Sequence, residues 1–169
     1  MSDRKYFGKY RGIVTDNKDP LMLGRVRARV PDAMGDKESG WATPCFPFAG
    51  SQTGMFCLPD IDAGVWIEFE HGDLDYPIWS GCYFLAMTDV PTETLVPPYQ
   101  KVLLKTKGGH SIILDDTPGI GGITLSTAGG QKIKLTALGI EIDNGLGASI
   151  KMNQLTKVTI NDGALEVLF

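Results

Sequence analysis

The feature that most constrains the fold is a run of near-repeats in the C-terminal part of the chain. In each repeat two apolar residues flank one other residue, and the segments between repeats are rich in glycine. Alternation with a period of two predicts short strands, and the glycines predict tight turns between them. Seven such pairs recur every seven to eleven residues: Val102/Leu104, Ile112/Leu114, Ile123/Leu125, Ile133/Leu135, Ile140/Ile142, Ile150/Met152 and Val158/Ile160.

Each predicted strand offers only about two inward side chains, so one chain of this kind cannot close a core. Ordering the backbone costs about 1 to 2 kcal/mol per residue, which roughly sixty such residues cannot offset alone. Identical chains around one axis solve the problem, and we predict a trimeric β-prism whose core is formed by the pairs from Ile112/Leu114 to Val158/Ile160. The residues expected to face water are Lys132, Lys134, Glu141, Asp143, Lys151 and Lys157. An ordinary β-meander or a second sandwich stays an alternative.

The first part of the chain, up to about Phe84, alternates short apolar runs with turn residues. The strand predicted at 25–30 has two faces: Arg25, Arg27 and Arg29 on one, and Val26, Ala28 and Val30 on the other. Residues 65–69 alternate in the same way, with Val, Ile and Phe against Trp and Glu. Because no helical stripe is present before position 90, we predict a small all-β barrel of about five strands.

Proline content separates the two parts. Residues 88–100 contain three prolines, which predicts a stiff extended linker. We therefore expect a barrel over 1–88, a linker over 89–100 and the strand repeats over 101–163. The last five residues, Leu165 to Phe169, match a rhinovirus protease site that is often placed before a purification tag. Residues 164–169 are accordingly predicted to be a tag remnant, so the native chain would continue beyond Gly163.

Composition limits the function classes. The net charge is −4, from 16 basic and 20 acidic residues, so the chain has no global cationic field for nucleic acid or anionic membranes. The polar N-terminus predicts no secretion signal, and no stretch approaches the length of a membrane span. Cys45, Cys57 and Cys82 include no C-x-x-C pair, which favours buried free thiols in a chain made in a reducing compartment.

Candidate catalytic groups are sparse. The chain has two histidines, and both His71 and His110 fit structural or exposed positions beside glycines better than a nucleophile–base pair. Carboxylate pairs occur at Glu68/Glu70, Asp73/Asp75 and Asp115/Asp116, where alternation and turn residues favour a strand surface or a turn over acid–base chemistry. We predict that the protein is not an enzyme and has no catalytic, cofactor-binding or metal-binding residues.

Several segments together resemble a known family. The stretches 12–20, 24–31 and 65–73, with Trp41, Pro59, Pro77 and Gly81, resemble the N-terminal OB-fold domain of phage baseplate spike proteins, which also occurs in the VgrG proteins of type VI secretion. Residues 109–119 resemble the start of the β-helix in that family. The fold class that the resemblance implies is all-β: an OB-fold barrel followed by an intertwined trimeric β-helix needle.

The resemblance also implies a role. Family members form homotrimeric spikes at the centre of a contractile tail or related injection machine, and the needle is driven through the target membrane. The OB-fold end binds tail hub proteins, and a PAAR-like tip protein often caps the other end. This implies a place in the virion tail baseplate, or in an assembled contractile injection particle, after synthesis in the bacterial cytoplasm.

The chain departs from some relatives. Some phage spikes carry a lysozyme domain between barrel and needle, where this chain has only the linker, so peptidoglycan cleavage is not expected. Some short spikes bind iron through a His-x-His tip, and neither His71 nor His110 lies in such a motif, so a tip metal would require residues beyond Gly163. A VgrG-like spike is a second alternative, less favoured because those chains usually carry a larger hub section before the barrel.

A third alternative is single-stranded nucleic acid binding, because OB folds often combine a basic groove with stacking aromatics. The arginine face of Arg25, Arg27 and Arg29 would supply the groove, and the available aromatics are Trp41, Phe46, Phe48, Trp66 and Trp79. The first hundred residues carry 9 basic and 14 acidic side chains, a balance that repels phosphate. We therefore expect the three arginines to contact a protein partner or a neighbouring protomer, and no nucleic acid to bind.

Overall fold

The computed structural model describes residues 4–97, 100–153 and 157–168. The chain divides into two compact units between Asp89 and Val90. Strands account for most regular structure in both units, and the helices among the described residues are one short α-helix and the 3-10 turns Glu70–Gly72, Met87–Asp89, Thr92–Thr94 and Asn161–Gly163. The all-β prediction is confirmed.

The first unit contains a five-stranded sheet in the order β2-β1-β6-β7-β3 and a separate hairpin of β4 and β5. Strand β3 runs parallel to β7, and the other neighbours in the sheet are antiparallel. Irregular register in the β1–β2 pair and in the β6–β7 pair marks bulges, which bend a sheet toward closure. The elements are β1 (Tyr10–Asp16), β2 (Arg27–Arg29), α1 (Pro31–Met34), β3 (Thr43–Pro44), β4 (Ala49–Gly50), β5 (Thr53–Gly54), β6 (Gly64–Phe69) and β7 (Pro77–Tyr83).

The core of this unit follows from the predicted alternation. Its buried apolar residues are Val14, Val26, Ala28, Val30, Ala42, Val65, Ile67, Phe69 and Trp79. The alternation predicted over 25–30 and over 65–69 is confirmed, because every second side chain of these segments is buried. The Trp79 indole N–H donates to the Gly24 carbonyl at 3.0 Å, which satisfies the one polar group of that buried ring.

The second unit contains one antiparallel sheet whose eight strands follow each other in sequence order, which is a meander. The seven predicted apolar pairs fall on its first seven strands. These strands are β8 (Lys101–Lys105), β9 (Ser111–Asp115), β10 (Gly122–Ser126), β11 (Lys132–Thr136), β12 (Gly139–Asp143), β13 (Ser149–Asn153), β14 (Lys157–Ile160) and β15 (Leu165–Leu168). Strand β15 lies in the segment predicted to be a tag remnant.

The pairing corrects one detail of the sequence-based expectation. An intertwined needle implies hydrogen bonds between chains, whereas each described strand pairs with its neighbour in the same chain; Ile123, for example, lies between Leu114 and Leu135. Short connections explain the difference, since only residues 137–138 separate β11 from β12. Links of this length close hairpins and cannot carry the chain to another sheet.

Candidate interaction surfaces

The register of the second unit collects most of its apolar side chains on one face of the sheet, which we call the apolar face. The face consists of two columns that run across the strands. One column contains Leu104, Ile112, Leu125, Ile133, Ile142, Ile150, Ile160 and Leu165, and the other contains Val102, Leu114, Ile123, Leu135, Ile140, Met152, Val158 and Val167.

Nothing in the described part of the second unit covers the apolar face. Its residues from Ile112 to Met152 are 37% to 43% exposed, and Val102 at the first strand is 66% exposed. The buried apolar residues of the described chain all belong to the first unit. A contiguous exposed apolar surface of this kind marks an interaction site, because a sheet needs a second layer over its apolar face. The alternative of a second sandwich closed within one chain is therefore not supported.

The opposite face of the sheet carries cross-strand ion pairs. Lys132 Nζ lies 3.2 Å from an Asp143 carboxylate oxygen, and Lys151 Nζ lies 3.9 Å from Glu141 and also contacts Asp162. The backbone N–H of Gly145 and the Lys132 ammonium lower the pKa of Asp143, and Asp162 raises the pKa of Lys151. The six residues predicted to face water all lie on this side of the sheet. The unit thus has two different faces, and Leu103 and Ile113 are apolar residues on the ion-paired one.

In the first unit, Arg25 closes the loop that precedes β2. Its guanidinium donates to Asp19 Oδ1 through Nη2 at 2.6 Å and through Nε at 3.0 Å. The Asp19 carboxylate also accepts the backbone N–H groups of Leu21, Leu23 and Arg25. The guanidinium and these N–H groups hold the pKa of Asp19 well below its usual range. Arg25 therefore organises the loop from within its own chain.

Arg27 also contacts residues of its own unit. Its guanidinium donates to Glu38 at 3.0 Å and lies 4.9 Å from the centre of the Trp41 ring, which Arg25 also approaches at 5.6 Å. The Thr15 hydroxyl and Arg27 lower the pKa of Glu38. Of the three predicted partner contacts, Arg29 is the exposed one, and Arg25 and Arg27 are partly covered. Their role in partner contact stays a prediction.

The aromatic residues do not assemble the stacking surface that nucleic acid binding requires. Trp79 is buried, and Phe46 packs against it with 5.5 Å between ring centres. Trp66 packs against Tyr83 at 4.9 Å, and Arg25 and Arg27 lie over Trp41. Phe48, at 59% exposed, is the member of this set that stands free of such ring contacts among the described residues. This distribution weighs against the nucleic acid alternative.

Sequence reasoning missed an exposed apolar surface of the first unit, which we call the loop patch. The loop at 21–23 and the segment 46–56 meet where Phe46 and Phe56 pack around Gly24. Asp19 and Arg25 fix the loop, so its side chains stay in solvent. The exposed members are Leu21 (61%), Met22 (86%), Leu23 (58%), Phe48 (59%), Met55 (43%) and Phe56 (66%). Residues 39–59 contain no charged side chain, a signal that was available in the sequence.

The remaining candidate groups form no chemical site among the described residues. Cys45, Cys57 and Cys82 are free thiols, as predicted, but all three are exposed rather than buried. His71 is exposed at a left-handed backbone position beside Glu70, and His110 is exposed at a turn. In the described ranges no three His, Cys, Asp or Glu side chains group closely enough to hold a metal ion. No helix formed by these residues is long and apolar enough to cross a membrane.

Comparison with known proteins defines the class. Residues 10–84 match the family model of the type VI secretion system and phage-baseplate injector OB domain. Residues 101–166 match the model of the phage baseplate V C-terminal trimerisation domain. The first match lies within the first unit and the second match within the second unit. The molecule therefore combines an injector OB fold with a trimerisation domain. The chain belongs to the phage baseplate V family of structural spike proteins, and its trimerisation domain supports a homotrimer.

Two curated relatives are similar to part of the chain. The actin cross-linking toxin VgrG1 of Vibrio cholerae is 35% identical over 88 residues, which is 50% of this chain and 8% of that protein. The type VI secretion system spike protein VgrG4b of Pseudomonas aeruginosa is 36% identical over 74 residues, 41% of this chain and 9% of that protein. The chain thus spans less than a tenth of the length of these two relatives.

Proposed function

We propose that this protein is the structural, non-enzymatic central spike of a contractile phage tail baseplate or of a related contractile injection system. One observation carries the proposal: the trimerisation domain presents a continuous apolar face that its own chain leaves half exposed. The twelve predicted core residues, from Ile112 to Ile160, would meet around a three-fold axis. Their role in the trimer core is part of the proposal.

A prism of three such sheets suits a piercing needle. The apolar faces would turn inward, while the ion-paired faces would meet water. Eight strands spaced about 4.8 Å apart give a shaft of roughly 34 Å, comparable to the hydrocarbon thickness of a bilayer. Load along the axis acts on ladders of backbone hydrogen bonds that run along each sheet. We propose that the assembled needle crosses the target membrane transiently.

The OB-fold unit would attach the spike to the tail hub. The loop patch supports this assignment, because exposed apolar side chains held by a fixed loop are typical of protein interfaces. Arg29, the last residue of strand β2, would add a charged contact. A PAAR-like tip protein would cap the far end of the needle, and the spike would reside in the virion baseplate or the assembled injection particle.

A VgrG-like spike of a secretion system is the second candidate, favoured by the similarity to VgrG1 and VgrG4b. Both candidates share the OB fold and the trimeric needle. They differ in the particle that carries the spike, so purified particles distinguish them.

Immunogold labelling of contractile particles from the producing bacterium tests the proposal. Antibodies against this protein should label the baseplate end of the tail, at one position per particle, and particles from a deletion strain are the control. Label on phage tails supports the phage spike, and label on secretion-system sheaths supports the VgrG-like alternative. A protein absent from both kinds of particle would contradict a spike function.

A further inference from the structure

A small cavity opens on the first unit where strand β3 meets the loop between β6 and β7. Its volume is about 320 Å³, at the lower end of the range for ligand pockets, which suits a single side chain better than a large ligand. Two aromatic rings, those of Trp41 and Tyr76, line the cavity together with the carboxylates of Glu70 and Asp75. None of the described lysine and arginine side chains lines it. The cavity thus combines aromatic surface with negative charge.

Hydrogen bonds fix the backbone around the cavity. The Glu70 N–H donates to the Tyr76 carbonyl at 2.9 Å, and the Tyr76 N–H donates to the Asp73 carbonyl at 3.1 Å. The loop between β6 and β7 is therefore closed on itself. Next to it, Thr43 of β3 pairs with Ile78 of β7 in the parallel contact between these strands. Both segments that line the cavity are consequently held in place before any partner binds.

The two carboxylates of the cavity pair with no lysine or arginine among the described residues. Glu70 lies 3.9 Å from the neighbouring His71, and Asp75 forms no ion pair within the described chain. Three other carboxylates of the first unit each have a basic partner: Asp19 pairs with Arg25, Glu38 with Arg27 and Glu68 with Lys9. Two carboxylates without such a partner, beside aromatic rings, favour a cation as the ligand.

The aromatic rings are of the kind that attracts guanidinium groups. Arg27 and Arg25 lie 4.9 and 5.6 Å from the centre of the Trp41 ring. Neither of these arginines lines the cavity, and each is paired with a carboxylate of its own. Tyr76 is 62% exposed, so its ring is accessible to a group that enters from outside.

We propose that this cavity binds an arginine side chain of a partner protein. A guanidinium group is planar, so it stacks on an aromatic ring while its N–H groups donate to carboxylates, and the cavity offers both. The compact ammonium of lysine lacks this planar fork, and an acidic partner would be repelled. The site goes beyond the proposed spike, because its lining residues all belong to the first unit of one chain and it requires no trimer.

Fluorine NMR of the 169-residue chain labelled with fluorotryptophan tests the proposal, since the chain has three tryptophans: Trp41, Trp66 and Trp79. The probe is N-acetylarginine methylamide, and the control probe is N-acetylcitrulline methylamide, which has nearly the same shape without the charge. Trp41→Phe assigns the signal of interest. We expect the arginine probe to shift the Trp41 signal saturably with a dissociation constant in the millimolar range, and the buried Trp79 signal to stay in place.

The probes also define what the cavity recognises. The citrulline probe should bind about tenfold more weakly or less tightly still, and N-acetyllysine methylamide about threefold more weakly. Equal affinity for the arginine and citrulline probes would overturn the proposal, because the site would then not recognise a cation. A saturable shift confined to Trp66 would overturn it too, since binding would lie elsewhere.

Two variants of one loop separate the cavity from general attraction of a cation to an acidic surface. Asp75→Asn keeps the shape of the side chain and removes its charge, so the dissociation constant of the arginine probe should rise about fivefold. Asp73→Asn is the matched control and should stay within about twofold. Asp73 does not line the cavity, and an asparagine oxygen can still accept the Asp75 N–H. Equal effects of the two variants would overturn the proposal.

A second pair of variants tests the ring. Tyr76→Leu should weaken binding of the arginine probe by about threefold, whereas Tyr76→Phe keeps the aromatic ring and should stay within about twofold. Unchanged binding in Tyr76→Leu would overturn the stacking contact. A trimeric protein whose Trp41 signal ignores the probe would refute the arginine site alone. A monomeric protein that binds the probe would refute the trimer of the proposed spike and leave the arginine site supported.

Discussion

The two units use the same short alternating strands and arrive at opposite solutions for their apolar side chains. The first unit pairs strands distant in sequence, such as β1 with β6, and its bulged sheet bends around nine buried apolar residues. The second unit pairs only sequence neighbours, and its eight strands leave one apolar face half exposed. A meander without long-range pairing cannot cover its own face. Connectivity, rather than strand composition, therefore decides which unit buries its own apolar side chains and which leaves an apolar face for further copies to cover.

The largest effect is expected from a charge at the centre of the apolar face. Ile133→Asp or Ile142→Asp would place three carboxylates near one axis in an apolar core, and we expect loss of the trimer. The matched control is Thr124→Asp, which lies on the ion-paired face opposite Lys134. Solution mass separates the variants: the control should stay trimeric. A stable trimer of Ile133→Asp would contradict the assignment of the apolar face.

A cavity in the first unit should leave the trimer intact. Ile67 is fully buried, and Ile67→Ala should lower the free energy of unfolding of this unit by about 2 to 5 kcal/mol through lost burial and an unfilled cavity. Thermal unfolding should show the first unit melting earlier while solution mass is unchanged. Dissociation of the trimer in this variant would mean that the two units do not stabilise themselves separately.

Strand positions and their two faces were predictable because they depend on local alternation and on glycine turns. The seven apolar pairs and the alternation at 25–30 and 65–69 are of this kind. The partners of Arg25 and Arg27 were not predictable, because Asp19 and Glu38 reach them only through the folded loops. The same holds for the exposed cysteines, whose surroundings depend on how the first unit closes.

Pairing within the chain was also missed, although the connections pointed to it. Turns as short as residues 137–138 permit only hairpins. The loop patch had a usable signal in the uncharged stretch 39–59, but apolar residues in a barrel sequence are first assigned to its core. The exposure of the loop patch side chains depends on Asp19, which holds the loop in place only in the folded unit.

A smaller effect is expected at Asp19. Its lowered pKa means that the ionised carboxylate stabilises the fold at neutral pH, and that this contribution is lost as pH falls from about 4 toward the folded-state pKa. Asp19→Asn should lower the thermal midpoint of the first unit at pH 7 and flatten its decline in acid. Asp16→Asn is the control, since the hydrogen bond that Asp16 accepts among the described residues comes from the local Lys18 N–H. Equal effects of the two variants would refute the organising role of Asp19.

The smallest effect should come from the ion-paired face of the second unit. Lys132→Gln removes the pair with Asp143 and should shift the thermal midpoint by only about 2 °C or less, because ion pairs that solvent still reaches are weak and screened. The shift should shrink further in 1 M salt, which thermal unfolding at two salt concentrations would measure. A loss of the trimer would mean that this face, too, lies at an interface.

The central claim is that the second unit is held together by other copies of itself. Light scattering coupled to size exclusion measures the absolute mass of the purified protein at several concentrations. The account predicts a mass three times that of the 18.3 kDa chain, unchanged on dilution. A monomer of 18.3 kDa with a folded second unit would contradict it, because the apolar face would then have to be stable in water.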